Sequence, residues 1–228
     1  DVAGIYTTDP RILPNAERID TMSFAEAAEM ATFGAKVLHP ATLLPAVRSN
    51  IPVYVGSSKA PDAGGTWVTR DPQPRPTFRA IAVRRDQTLL TLSSLSMLHA
   101  QGFLANVFNI LAKYKISVDT ITTSEVSIAL TLDKTGSASS GVELLSPELL
   151  EELSQYCTVK VDTGLSLVAL IGNDLHLASG VAKRIFDTLE GYNIRMISYG
   201  ASTNNICMLA HSDKADDVVH SLHKSLFE

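Results

Sequence analysis

Residues 102–128, GFLANVFNILAKYKISVDTITTSEVSI, and residues 180–206, GVAKRIFDTLEGYNIRMISYGASTNNI, decide the fold of this chain. Laid over one another with a shift of 78 residues, they align without a gap. Gly102 falls on Gly180, Phe108 on Phe186, Leu111 on Leu189 and Tyr114 on Tyr192; Ile116, Ser124 and Ile128 then fall on Ile194, Ser202 and Ile206. Chance gives one or two such matches; a run this long in register marks a duplicated module.

Working outward, each copy follows the same grammar. An apolar strand, over 89–95 and again over 165–171, leads through a polar loop into a glycine-started amphipathic helix. In the first helix Phe103, Val107, Ile110 and Leu111 have the spacing of one buried stripe. Strands over 116–123 and 126–132 come next, then a helix over 147–156 and a closing strand over 158–161. The second copy ends on a helix over 215–227 with no strand after it, while a strand over 78–83 stands upstream with no other home. Placing 78–83 in the second sheet completes it and leaves the first module inserted in the second. Each unit is then βαββαβ and ferredoxin-like, an antiparallel sheet with both helices on one face. The expected bounds are 86–163 for the inserted module and 78–85 plus 164–228 for its host.

Upstream, residues 56–77 hold Pro61, Gly64, Gly65, Pro72, Pro74 and Pro76 and read as loop and linker. Ahead of them Ser23-Phe24-Ala25-Glu26 has the spacing of a capping box, opening an alanine-rich helix that runs to Phe33 and is closed by Gly34. A helix over 40–48 and a strand over 51–55 follow. Helix, helix, strand is the end of an α/β unit, so residues 1–70 form a separate part of a mixed α/β (α+β) chain.

Composition narrows the function classes. At 228 residues, with 45% hydrophobic and 19% charged residues, the chain can build a sizeable core. A net charge of -5 argues against nucleic acid, which needs a clustered basic surface. No apolar run reaches the ~20 residues of a membrane span. Cys157 and Cys207 read as a helix end and a strand residue, the usage of a reduced, cytoplasmic protein. The chain opens at Asp1, inside a motif and without Met, which suggests a piece of a longer protein.

The opening Asp1-Val2-Ala3-Gly4-Ile5-Tyr6-Thr7-Thr8-Asp9-Pro10-Arg11 resembles the nucleotide-site loop of the amino-acid kinase family. Phe24-Ala25-Glu26-Ala27-Ala28-Glu29-Met30-Ala31, with Gly34-Ala35-Lys36-Val37-Leu38-His39-Pro40, resembles the helix and loop that follow it in aspartate kinases. The βαββαβ pair resembles their tandem ACT modules, and Ser117-Val118-Asp119 through Thr122-Thr123-Ser124-Glu125-Val126-Ser127 is close to the lysine-sensitive subgroup. The resemblance covers essentially the whole chain. The family's Lys-Phe-Gly-Gly opening and most of its aspartate site are not in it, so this stretch alone is expected to sense and not to catalyse.

The resemblance implies ATP at Asp1, Tyr6, Arg11, Lys36 and Val37, with magnesium, for phosphoryl transfer to L-aspartate. Arg11 and Lys36 can neutralise phosphate charge, and Tyr6 can offer a flat face to adenine. From spacing alone, Asp9-Pro10-Arg11 reads first as a surface turn and Lys36 as a cation at a helix end. The resemblance also implies an L-lysine effector site at Met97, Ala100, Phe103, Leu104, Ser117, Val118, Asp119, Ser124 and Glu125. The family pattern has a serine where this chain has Ala100, so one side-chain hydrogen bond is expected to be missing. The loop before Phe103 enters a helix N-terminus, where free amides suit a carboxylate, and Asp119 and Glu125 suit ammonium groups.

On spacing alone these two are ordinary exposed acids. The repeat adds a control, since Asp119 maps to Ile197 and Glu125 to Thr203, so the second copy has no acid at either of these two positions. His39 reads as a capping residue, and His220 with His223 as a solvated helix face. The implied partners are lysine, ATP and aspartate, with a homodimer through the ACT modules or a higher oligomer. The rival class is a free-standing ACT sensor or regulatory subunit without kinase activity, which has no reason to carry the first 55 residues.

Overall fold

Ser23 opens the first helix as its spacing predicts. Its hydroxyl accepts from the Glu26 backbone N–H, and the Glu26 carboxylate accepts from the Ser23 N–H at 2.6 Å. Two free donors of the helix end are satisfied at once. This computed structural model describes residues 3–35, 38, 40–97, 101–133 and 144–228. They fall into two units, Asp1–Arg85 with Leu167–Glu228, and Asp86–Ser166.

The first unit starts with strands β1 (Ile5–Tyr6) and β2 (Arg18–Ile19), paired antiparallel. After β3 (Thr21–Ser23) comes helix α1 (Phe24–Thr32), which buries Phe24, Ala27 and Met30, and then α2 (Pro40–Ser49). The segment expected to be loop throughout holds a strand. After β4 (Val53–Gly56), and between Pro61 and Pro72, β5 (Gly65–Thr69) pairs parallel with β3 and antiparallel with β4. The reason is Thr66-Trp67-Val68, a β-branched and aromatic run inside the Gly and Pro punctuation. The buried Thr66 hydroxyl fixes it, accepting from Ile5 N–H at 2.8 Å and donating to the Ile19 carbonyl at 2.6 Å.

Two strands expected as pairs of pieces run unbroken: β6 (Phe78–Ser93) and, further on, β9 (Thr158–Gly172). Residues 84–88 hold no Gly or Pro, and Asp86 absorbs the local irregularity at φ +57 without ending the strand. Asp tolerates this region better than most residues. Gly164, at φ +68, does the same in β9.

The rest of the first unit is helix α5 (Val181–Thr188), strands β10 (Ile194–Tyr199) and β11 (Asn205–His211), and helix α6 (Ala215–Phe227). The preceding elements of the second unit are α3 (Phe103–Lys113), β7 (Ser117–Thr123), β8 (Ser127–Asp133) and α4 (Pro147–Ser154). Strand order is β10-β11-β9-β6 in one module and β9-β6-β8-β7 in the other. Both are the βαββαβ order, and residues 78–83 supply the second module's fourth strand, so the first module is inserted in the second.

The cores repeat as the sequences do. In the first module Leu90, Leu92, Val107, Leu111, Ile128 and Leu130 are buried together; in the second, Val168, Leu170, Ile185, Leu189, Ile206 and Met208. These are the same positions 78 residues apart. Each first helix is entered through a glycine in the left-handed region, Gly102 at φ +83 and Gly180 at φ +80. No atom lies within 4 Å of a Cβ built on either, so the glycine is required by backbone angle alone. Phe108, at the outer edge of the stripe, is 38% exposed. Among the described residues no helix is long and apolar enough to cross a membrane.

Candidate functional site

The loop from Tyr6 to Arg18 closes on itself before anything else holds it. Thr7 N–H donates to the Glu17 carbonyl at 2.8 Å, Glu17 N–H donates to the Thr7 hydroxyl, and Ile12 and Leu13 N–H both donate to the Asp9 carbonyl. Tyr6 is half-buried on β1 and Arg11 is exposed at the tip. Asp9 takes the Nε and Nη2 edge of Arg11 at 2.6–3.1 Å. That guanidinium holds the Asp9 carboxyl below its ordinary value against a smaller opposing effect of burial, and the Asp9 carboxylate raises Arg11 in turn. Asp1, Lys36, Val37 and His39 lie outside the described residues.

The same loop is held from the second module. Ile81 N–H donates to the Thr7 carbonyl at 2.7 Å. On α6, His223 Nε2 meets the Thr7 hydroxyl at 2.9 Å and His220 Nε2 lies 2.7 Å from the Ile12 carbonyl. His220 is exposed as its spacing suggests, but His223 is 2% exposed, because α6 turns that face onto the loop.

Helix α1 is gripped as well. Glu26 is fully buried; Arg79 Nε and Asn173 Nδ2 both donate to its Oε1 at 2.7 Å. Burial pushes the Glu26 carboxyl up, but the Ser23 N–H and the Arg79 guanidinium outweigh it and hold the group below its ordinary value. One turn on, Glu29 accepts from Ser202 Oγ at 2.7 Å and Asn205 Nδ2 at 2.8 Å. Ser202 and Asn205 are the second copy's equivalents of Ser124 and Ser127. In that copy Leu175 N–H donates to the Thr203 carbonyl, and the Tyr199 hydroxyl donates to the Leu175 carbonyl. The loop is thus tied to its own hairpin. Local spacing gave Glu26 its capping role but none of these partners, which stand 53 and 147 positions away.

In the first module the expected effector residues form two groups. Met97, half-buried at the end of the turn Leu95–Met97, and Phe103, half-buried at the start of α3, both pack against the core, with Leu104 exposed beside them. Ser94 N–H donates to the Val126 carbonyl, which puts the exposed Ser124 and Glu125 at this same end of the sheet. Ser117, Val118 and Asp119 start β7 at the other end, where Ser117 faces Asp133. Seven residue steps separate Ser117 from Ser124, about 23 Å at the rise of an extended strand. The register shifts between Val118 and Thr120, so Asp119 is the extra residue of a bulge, a device that re-aims a side chain. Ala100 lies outside the described residues. An open cleft of about 580 Å³ near the Met97 end is lined by residues 93–96, Val126 and residues 154–158, none of them expected effector residues.

The loop after β1 is thus bonded to the second βαββαβ module, which carries the first module as an insertion. Residues 1–57 match the amino acid kinase family and residues 168–226 the ACT domain. Over its whole length the chain is aspartokinase-like. It is 66% identical over all 228 residues to lysine-sensitive aspartokinase 3 of Escherichia coli, of which it covers 51%. The crystal structure of E. coli aspartokinase III with aspartate and ADP, in the R-state, superposes on all of the chain with a TM-score of 0.93, and the lysine and aspartate complex, in the T-state, with 0.88; 51% of each is covered. The chain spans about half the length of the curated relatives it matches.

Proposed function

We propose that this chain is the lysine-sensing part of an aspartate kinase that works in the cytoplasm and transfers the γ-phosphoryl group of ATP to the side-chain carboxylate of L-aspartate. Nucleotide binds at the loop carrying Tyr6 and Arg11, with Asp1, Lys36 and Val37 completing the site. Tyr6 offers adenine a flat apolar face, and Arg11 offers phosphate the guanidinium donors that Asp9 leaves open. Magnesium arrives with the phosphates; among the described residues no cluster of three or more His, Cys, Asp or Glu side chains could hold a metal.

Lysine binds between two copies of the first module. The length of β7 carries this reading: five residue steps, about 17 Å of extended strand, separate Asp119 from Ser124, more than a free amino acid spans, yet acids suited to ammonium groups stand on both sides, Asp119 and Glu125. A twofold pair brings the Asp119 end of one copy beside the Met97, Phe103, Leu104, Ser124 and Glu125 end of the other. The lysine carboxylate then meets the free amides at the start of α3. The E. coli relative has been crystallised with lysine. Feedback passes to the kinase as a coupling free energy of about 1–3 kcal/mol.

Calorimetry tests this directly. Asp119→Asn weakens lysine binding by about 1.5–3 kcal/mol, the scale of a charged hydrogen bond, and Ile197→Asn leaves it unchanged. The reverse order would move the sensor to the second module.

A further inference from the structure

We propose that His223 is a positioning residue of the nucleotide site, through which the second ACT module sets the posture of the loop carrying Tyr6 and Arg11. This rests on reading that loop as nucleotide-binding. Thr7 follows Tyr6 directly, and its carbonyl and its hydroxyl are both held by the second module, by Ile81 N–H and by His223 Nε2. The hydroxyl also accepts from Glu17 N–H, so the imidazole is the second partner of a buried oxygen that stands at the crossing point of the loop. The ring itself is fixed, stacked on Phe227 with centroids 4.9 Å apart and planes 14° from parallel. Helix α6 is anchored beneath it by Val218, Val219 and Leu222, all fully buried.

Three residues past Arg11's partner Asp9 the pattern recurs. Ile12 packs against the second module's core, and its carbonyl faces His220 at 2.7 Å. Tyr6 and Arg11 are therefore each the immediate neighbour of a point fastened to one helix, Thr7 and Ile12, and displacing α6 carries both side chains with it. Plain packing would be served by an apolar residue at 223; a ring nitrogen 2.9 Å from Thr7 adds direction and register.

The test uses the full-length kinase. His223→Ala raises KM for ATP about fivefold, the scale of one lost buried hydrogen bond, and leaves KM for aspartate within twofold. His223→Gln, whose amide reaches the Nε2 position, restores most of the ATP affinity. A reference variant, Arg11→Ala, also raises KM for ATP. An equal shift in both substrates' KM, or a His223→Gln variant no better than His223→Ala, would overturn the positioning role while leaving the loop assignment intact. An unchanged KM for ATP in Arg11→Ala would instead sink the reading of the loop, and the proposal with it.

Discussion

Glu26 keeps a charge with no exposed surface because three groups donate to it: Ser23 N–H, Arg79 Nε and Asn173 Nδ2. Removing one partner of such a buried pair costs about 3–5 kcal/mol, since the other is left uncompensated. Glu26→Gln is therefore expected to lose stability of that order at neutral pH, measured by urea unfolding. The sign of its pH dependence follows from the depressed carboxyl. A group held below its unfolded value adds stability that is present above that value and lost as pH falls through the folded one. The gap between Glu26→Gln and the parent chain thus narrows below the ordinary 4.5, and a gap that widened there would contradict the ion pair. The capping role of Glu26 was legible because Ser23 and Glu26 sit three positions apart. Arg79 and Asn173 were not, because no local period encodes a partner in another element. His223 was misread for the same reason: an i,i+3 pair shows that two side chains share a helix side, but not what packs on that side.

Helices α3 and α5 show what a repeat carries at the scale of an element. Both begin after a glycine near φ +80 with open space around it, so a side chain there meets strain and not a clash. Gly102→Ala should cost about 1–2 kcal/mol, Gly102→Asn less, because Asn tolerates the left-handed region, and the same order should hold at Gly180 when unfolding midpoints are compared. The match of Gly102 with Gly180 made both helix starts legible, and the apolar period gave the faces that became the cores. Strand continuity escaped, because the charged stretch 84–88 looks like a break although nothing in it prevents extended backbone. Strand β5 escaped because five residues among glycines and prolines are too short to show a period. The expected effector residues could be named from resemblance, but their separation along β7 became visible only once the strand was placed.

At the scale of the molecule, the proposed site, completed by two copies, would tie ligand binding to association. A ligand that touches both chains binds the pair better than the single chain and must favour it by mass action. Sedimentation velocity at low micromolar concentration is expected to show the dimer fraction rising with saturating lysine; bound lysine with an unchanged distribution, while monomer is still present, would exclude a shared site. The insertion has a consequence of another kind. The first module is one uninterrupted block, Asp86–Ser166, that enters along β6 and leaves along its hydrogen-bonded neighbour β9, whereas its host is split into two stretches. A single exchange of sequence can replace the first module without cutting any of the bonds from α6 to the Thr7 loop or from Glu26 and Glu29 to their partners. The fold is therefore arranged as a socket: on the proposed reading, a cassette for a different amino acid could be spliced in at one place, while the part that grips residues 1–57 stays as it was.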